Sequence, residues 1–385
     1  MIKNMSSSKK PKLAVVRAFP RSPEFEFYAD FDKFHVKLIG NDALITKKFL
    51  KKNRDVESIF LNLKPKYAID PIKLFFGKTS HRSWSYLDSL EEHLHDCDLI
   101  DISDLYFFYS RQCAELAKQL KIPLVAVVWE TMASHYAKVI PPYSFNIQNV
   151  IGTASKFILR SQRSLQFTNS LGIPREKTKQ IYKGVDTLKF HPAAKNRSNN
   201  QTINILYVGQ LDKTKGVDDL LDVFVRLSGE YDNIELSIAG DGVLSSKIDK
   251  LKKNYRIKSY GWVDYSHLPD IYRQADIFCS PSIDLRYFGV KFGEERFSYT
   301  LMEAQASGLP IVSTYCGGIP EEVGTQNLLV NQSNPEELYS ALKKYINNRD
   351  LRINTGKFNR LRAEKYFDLK KQVQTTQEFL LSVLP

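Results

Sequence analysis

Apolar runs rich in β-branched residues alternate with amphipathic stretches along the chain. In the first half KLAVVRAF, DLIDISDL and IPLVAVVWE are nearly continuous apolar runs, the pattern of strands covered on both faces in a parallel sheet. Between the last two, YSRQCAELAKQLK spaces its apolar residues at the helical period and predicts the helix that a parallel crossover needs. The second half repeats the order with INILYVGQ, IELSIAGDG, DIFCSPS and PIVSTY. This predicts an α/β fold in which a doubly wound sheet is written twice. HPAAKNRSNNQT, residues 191–202, has Pro, Asn and Ser without apolar period and marks the linker. Asn334 and Pro335 start a helix in NPEELYSALKKYINN, and LKKQVQTTQEFLLSVL is a last amphipathic helix. The expected division is an N-terminal domain over 1–192, a C-terminal domain over 203–365 and a final helix over 366–385. Open parallel sheets bind ligands outside the carboxyl ends of their strands, so two Rossmann-like domains facing each other predict chemistry in a cleft.

A chain of 385 residues suits two domains, and 43% hydrophobic with 25% charged residues is a globular composition. Charge adds more. Of the net +12, residues 1–200 hold 32 Lys+Arg against 19 Asp+Glu, and residues 201–385 hold 23 against 24. The whole excess lies in the first half, where it would attract anionic lipid headgroups, phosphorylated carriers or nucleic acid. A generally basic, soluble protein would spread it over both halves. The opening MIKNMSSSKKPKLAVV lacks the apolar run of a secretory signal, and no stretch reaches the roughly 18 apolar residues of a spanning helix. The expected location is the cytoplasm, with peripheral attachment to the inner face of the membrane left open. Cys97, Cys113, Cys279 and Cys316 show neither C-x-x-C pairs nor zinc spacing and read as free thiols. No metal or cofactor is expected.

The densest chemistry is in GEERFSYTLMEAQASGLPIVSTYCGGIPEEVG, residues 293–324. Thr300 and Glu303 fit T-x-x-E, a capping box in which the carboxylate reaches back to the threonine amide. Glu295 precedes the helix, in a glycine-punctuated loop, and capping does not account for it. A helix start offers unpaired N–H donors and partial positive charge, suited to a diphosphate. Carboxylates beside such a site make sense if they address hydroxyls, so the pattern asks for a ligand both phosphorylated and polyhydroxylated.

These residues resemble the signature of retaining GT-B glycosyltransferases of family 4, in which two glutamates separated by seven residues lead into EAxAxGxPVV, followed by GGxPE. The likeness continues in order through SLGIPREKTKQIYKGVDTLKFHP (170–192), ILYVGQLDKTKGVDDLLDVF (205–224), LSIAGDGVLSSKI (236–248) and YGWVDYSHLPDIYRQADIFCSPS (260–282). It is close over about 150–330 and thin before that. The resemblance implies two Rossmann-like domains across a cleft, with the last helix returning to the first. It implies that Glu303 binds the nucleotide ribose and Glu295 the donor sugar, that Lys215 neutralises the diphosphate, and that the backbone of Tyr299, Thr300 and Leu301 cradles its distal phosphate. Gly209 and Gln210 fall in the donor-binding VGQL turn. There the family usually places arginine, a second cation, and glutamine carries no charge. Arg17, Arg21 and Lys291 are the candidates to supply it.

The family's glycine-rich turn after the first strand is absent from RAFPRSPEFEFY, where Arg17 and Arg21 read equally as phosphate contacts or surface arginines. Where the family commonly has a histidine after the strand matched by IPLVAVVWE, this chain has Glu130, with His135 five residues on. Glu130 reads as an acceptor-hydroxyl binder or base, or as a partner of a helix start. HLHDCDLIDIS contains a D-x-D at Asp96 and Asp98, but it runs into a strand and its histidines belong to the preceding element, so it is not assigned a metal. PIKLFFGK (71–78) and KPKYAIDP (64–71) read as a membrane-surface anchor or an ordinary helix edge.

The expected activity is that of a retaining, metal-independent glycosyltransferase of the hexosyltransferase type, moving sugar from a nucleotide-diphosphate donor, such as a UDP- or GDP-sugar, to a glycan or lipid-linked envelope precursor. The alternatives are a sugar-nucleotide binder without turnover and a glycosyltransferase acting on nucleic acid, for which no base-reading motif is present.

Overall fold

The computed structural model describes residues 10–18, 22–41, 56–65, 85–193 and 202–385. They form two compact units, Met1–Ile181 with Lys370–Pro385, and Tyr182–Leu369.

The first unit is built on strands β1 (Lys12–Arg17), β2 (His35–Gly40), β3 (Glu57–Phe60), β6 (Leu99–Ser103), β7 (Leu124–Val128), β8 (Lys156–Leu159) and β9 (Thr178–Gln180). They pair in parallel in the order β3-β2-β1-β6-β7-β8-β9; β4 (Leu63–Pro65) and β5 (Ser85–Leu87) make a separate antiparallel pair. Every residue of β6 and β7 is buried, which is what the continuous apolar runs require of a sheet covered on both faces. The helix Phe108–Leu120 connects those two strands and buries Phe108, Cys113, Ala114 and Ala117. The final helix, Leu369–Leu381, has its body in this unit: Gln377 accepts from the Lys33 amide and donates to Asp32, at 2.7 and 2.9 Å.

In the second unit β10 (Ile203–Val208), β11 (Ile234–Ala239), β12 (Ile257–Gly261), β13 (Ile277–Ser280), β16 (Ile311–Thr314) and β17 (Leu328–Val330) form a six-stranded parallel sheet, ordered β12-β11-β10-β13-β16-β17. Along β10, Ile205 and Tyr207 face a core shared with helices Val217–Ser228 and Pro335–Asn347. Leu206 and Val208 face a second core shared with helices Leu268–Arg273 and Tyr299–Ala306. A short hairpin, β14 (Leu285–Tyr287) with β15 (Val290–Gly293), stands outside the sheet.

The segment 182–192 belongs to this second unit, so the expected 1–192 domain overruns the first unit at its end. The physical reason is pairing that composition does not display. Val185 exchanges backbone hydrogen bonds with Phe367 and Leu369, and Arg360 donates to the carbonyls of Thr187, Phe190 and Ala306. Among the described residues no helix is long and apolar enough to cross a membrane. All four cysteines are buried free thiols.

Candidate functional site

The second sheet reverses its winding between β10 and β13, the crevice where open α/β sheets take ligands. The turn after β10 passes very close to its neighbours. A Cβ on Gly209, at φ +153°, would lie 2.9 Å from the Tyr207 hydroxyl, and one on Gly240 would lie 1.8 Å from the Gly209 carbonyl oxygen. Glycine is therefore required at both positions. The Tyr207 hydroxyl donates to the Gln210 carbonyl at 2.6 Å, leaving the Gln210 side chain exposed.

Lys215 ends a short 3₁₀ turn, Lys213–Lys215, started by Asp212, whose side chain accepts from the Thr214 amide. Gly216, at φ +64°, closes the turn where a Cβ would lie 1.9 Å from the Pro281 carbonyl oxygen. Lys215 Nζ donates to Glu295 Oε2 at 2.5 Å, and Ser282 Oγ lies 3.4 Å from the same oxygen. Burial alone would raise the Glu295 carboxyl; the Lys215 ammonium, aided by Lys183 and Ser282, outweighs it and holds the group below the usual carboxylate range. The GGIPEE turn carries Glu295 from behind. Gly318 N donates to the Glu295 carbonyl at 2.8 Å, and Cβ atoms on Gly317 and Gly318 would sit 2.0 and 1.9 Å from the carbonyls of Glu295 and Arg296.

The helix Tyr299–Ala306 opens at Ser298, whose amide donates to Glu322 Oε2 at 2.8 Å and whose hydroxyl pairs with Thr300 Oγ1. Its first i→i−4 bond is Met302 to Ser298, so the amides of Tyr299, Thr300 and Leu301 form the donor-rich helix start. Glu303 is not in a capping box. The helix begins before Thr300, and Glu303 Oε2 instead accepts the Tyr272 hydroxyl at 2.9 Å from another helix. Burial pushes its carboxyl up to about 7 against the opposing pull of Tyr272, Tyr265 and Lys183. Burial raises Glu322 well above the ordinary range, and Glu322 Oε1 has no hydrogen-bond partner.

In the first unit, Glu130 and His135 are brought together behind β7, both buried. Glu130 Oε1 accepts the amides of Thr131 and Met132 at 3.0 Å, and Oε2 lies 3.5 Å from His135 Nε2. His135 Nδ1 accepts from the Ala137 amide, which places the proton of a neutral ring on Nε2, facing Glu130. Arg17 stands at the end of β1, on the winding reversal of the first sheet, and is buried rather than a surface arginine. Its Nε donates to Glu24, Nη1 to the carbonyls of Val16 and Asp101, and Nη2 to Tyr28 and Asp101, which engages all five donors. Arg21 and the PIKLFFGK stretch lie outside the described residues. Lys291, on β15, is held by Glu294 at 2.5 Å and Asp284 at 3.7 Å. Asp96 joins Lys12 and Lys37, which hold it below the usual carboxylate range, and Asp98 accepts the Lys12 amide. Among the described residues no group of three or more His, Cys, Asp or Glu is placed to hold a metal ion.

Known proteins are similar to this chain in sequence and fold. Residues 191–362 match the family model for glycosyl transferases group 1. Over these residues the chain carries a domain of the glycosyl transferases group 1. Its fold is GT-B. HepE from Anabaena, solved with UDP and glucose, is 17% identical with a TM-score of 0.72, covering 97% of this chain and 100% of that one. A glycosyltransferase from Rickettsia africae is 17% identical with a TM-score of 0.73, covering 98% and 99%. Among curated proteins, a phosphatidylinositol N-acetylglucosaminyltransferase component from Arabidopsis thaliana is 26% identical, over 46% of this chain and 38% of its own length. The sulfoquinovosyl transferase SQD2 of the same plant is 24% identical, over 65% of this chain and 50% of its own length. The chain thus spans about half or less of these curated relatives.

Within the matched domain, Lys215, Glu295 and the helix start at Tyr299, singled out from the sequence, converge on one end of the sheet. Lys183, Tyr272 and Glu322 were not singled out by sequence reasoning. Lys183 and Glu322 lie inside motifs quoted for the resemblance, IYKGVD and GGIPEEV, but their roles come from pairing across 114 and 24 positions.

Proposed function

We propose that this protein transfers a sugar from a nucleotide-diphosphate donor to an acceptor hydroxyl with retention at the anomeric carbon. The observation that carries the reading is the Lys215–Glu295 pair set beside the start of the Tyr299–Ala306 helix. Without donor the two charges satisfy each other. A diphosphate competes for the ammonium, and the carboxylate is then available to accept hydroxyls of the sugar. As the bond between the anomeric carbon and the phosphate oxygen breaks, negative charge grows on the diphosphate and positive charge on the sugar. Lys215 and the amides of Tyr299, Thr300 and Leu301 meet the first, and Glu295 faces the second. Glu303, whose carboxylate offers lone pairs beyond the one Tyr272 uses, takes the ribose. This assignment gives charge neutralisation to the protein's own groups, so turnover is expected to persist in EDTA and to need no organic cofactor.

The first unit takes the acceptor, with Glu130 and His135 as the pair to bind or deprotonate its hydroxyl. The basic balance of residues 1–200 favours a lipid-linked glycan or another phosphorylated carrier at an anionic membrane surface, on the cytoplasmic side. A second reading, binding without turnover, is motivated by the uncharged, exposed Gln210.

Thermal unfolding against UDP, GDP, dTDP and ADP, with wild type and Glu303→Ala, tests the donor assignment, because ligand at about 100 times its dissociation constant adds roughly 2.7 kcal/mol. UDP is the first choice because HepE, similar in fold, is solved with it. A shift with one nucleotide that the variant loses supports the reading, and no shift with any overturns it. Diphosphate release that stops in Glu295→Ala separates transfer from binding alone.

A further inference from the structure

We infer that the helix Tyr143–Thr153 and the loop before it form a face of the first unit that docks on an anionic lipid bilayer. This rests on the acceptor part of the reading above, which it deepens. The loop leaves Val139 75% and Ile140 36% exposed, and the first turn of the helix leaves Phe145 60% exposed. A single turn joins them, since the Ile140 carbonyl accepts the Ser144 amide at 3.1 Å. Three large apolar side chains turned to water within seven positions carry a solvation cost that a lipid partner removes. The rest of the helix fits the same use. YSFNIQNVIGT has no charged residue, and its exposed positions, Phe145, Gln148 and Gly152, lie three and four apart on one face. A helix that faces only water ordinarily carries charge there.

Charge selects the partner, because cations flank the uncharged helix at both ends. Lys138 precedes it, with Nζ donating to the Ala133 carbonyl at 2.8 Å and to Ser170 Oγ at 2.9 Å. At the other end Lys118 and Lys121 line one open cavity with Gln148, Gly152 and Thr153. Among the described residues none of these three ammoniums is in an ion pair. Glu115, beside the same cavity, is taken by Arg111 at 2.6 Å. From Thr131 to Arg175 the chain holds five Lys or Arg and neither Asp nor Glu, so this stretch has no acid to repel phosphate headgroups. An uncharged, partly apolar face between lysines is the pattern of an interfacial helix, whose apolar side chains enter the headgroup boundary while the ammoniums meet lipid phosphates. Docked there, the unit that takes the acceptor meets it without the acceptor's lipid leaving the bilayer.

Sedimentation of the full chain with vesicles of phosphatidylcholine, alone and mixed with phosphatidylglycerol, at low and high salt, tests this. Wild type is expected to bind the anionic vesicles about tenfold or more tightly than the neutral ones, and to release them as salt is raised. Each of Lys118→Gln, Lys121→Gln and Lys138→Gln should weaken that binding about fivefold. Phe145→Ser should weaken it about ten- to hundredfold. Melting temperatures matching wild type show that these variants keep the fold, and if Phe145→Ser does not, Val139→Ser takes its place. No binding to anionic vesicles, equal binding to neutral ones, or binding that the variants leave unchanged would overturn the inference. Self-association of wild type that Phe145→Ser abolishes, without vesicle binding, would give the face to a second copy of the chain and overturn it as well. No nucleotide enters this measurement, so its failure leaves the donor assignment standing, and failure of the nucleotide titrations leaves this face standing.

Discussion

Glu303 ties the site's chemistry to pH. In the free protein its carboxyl titrates at about 7, because burial outweighs the help of Tyr272 and Tyr265. A ribose donates hydroxyl hydrogens, and the ionised carboxylate is the better acceptor, so donor binding draws Glu303 to its charged form and releases a proton. Affinity for a nucleotide sugar, whose diphosphate has no secondary ionisation, is therefore expected to fall about tenfold per pH unit below 7 and to level off above it. Glu303→Gln should flatten that slope in titrations from pH 5.5 to 8.5; an unchanged slope would assign the proton elsewhere. Glu322 makes the complementary case for stability. Its folded-state pKa is raised, so between the unfolded value near 4.3 and the folded one the native state keeps a proton that the unfolded chain gives up. Stability from this group falls as pH rises through that window and does not return above it. Glu322→Gln, which keeps an acceptor for the Ser298 amide, is expected to match wild type near pH 4 and to melt higher at pH 8, by roughly 2–4 °C per kcal/mol recovered.

At the scale of elements, the helix that carries Glu303 is placed by a close crossing. Helix Arg349–Tyr366 passes the end of Tyr299–Ala306 so tightly that a Cβ on Gly356 would lie 2.2 Å from the Gly308 carbonyl oxygen. The same helix brings Arg360 to the carbonyls of Thr187, Phe190 and Ala306. Gly356→Ala must push the two helices apart and is expected to destabilise the second unit by about 1–3 kcal/mol, with weaker nucleotide binding in the same preparation. Unfolding in urea followed by nucleotide titration checks both. None of this can be read locally. The strands were legible because burial on both faces writes itself into continuous apolar runs such as LIDIS and LVAVV. Thr300 and Glu303 misled because T-x-x-E is a local pattern, and Tyr272, distant in sequence, offers the carboxylate a buried partner that a local rule does not weigh. Arg17 was read as either a phosphate contact or a surface arginine, whereas it is buried, and Glu24, Asp101 and Tyr28 close around it only once β1 and β6 are neighbours. The charged pair Lys215–Glu295 was reachable only through the family motif, since 80 positions separate its members.

For the whole molecule, chain order and spatial order part company at the last helix. Lys370–Pro385 follows the second unit in sequence and belongs to the first in space. Its buried side chains, Val373, Thr376, Gln377 and Leu380, and the Gln377 bonds to Asp32 and Lys33 are contributions to the first unit's stability. The proposed donor site, by contrast, draws its residues, Lys215, Glu295 and Glu303, from the second unit alone. The two can therefore be told apart calorimetrically. Nucleotide is expected to raise the transition of the second unit, which labels it. Leu380→Ala, which empties a fully buried position, is expected to cost about 2–5 kcal/mol and to lower the other transition by roughly 4–20 °C while the nucleotide-sensitive one stays in place. If the nucleotide-sensitive transition fell instead, the last helix would owe its stability to the unit it follows in sequence, and its assignment to the first unit would be wrong.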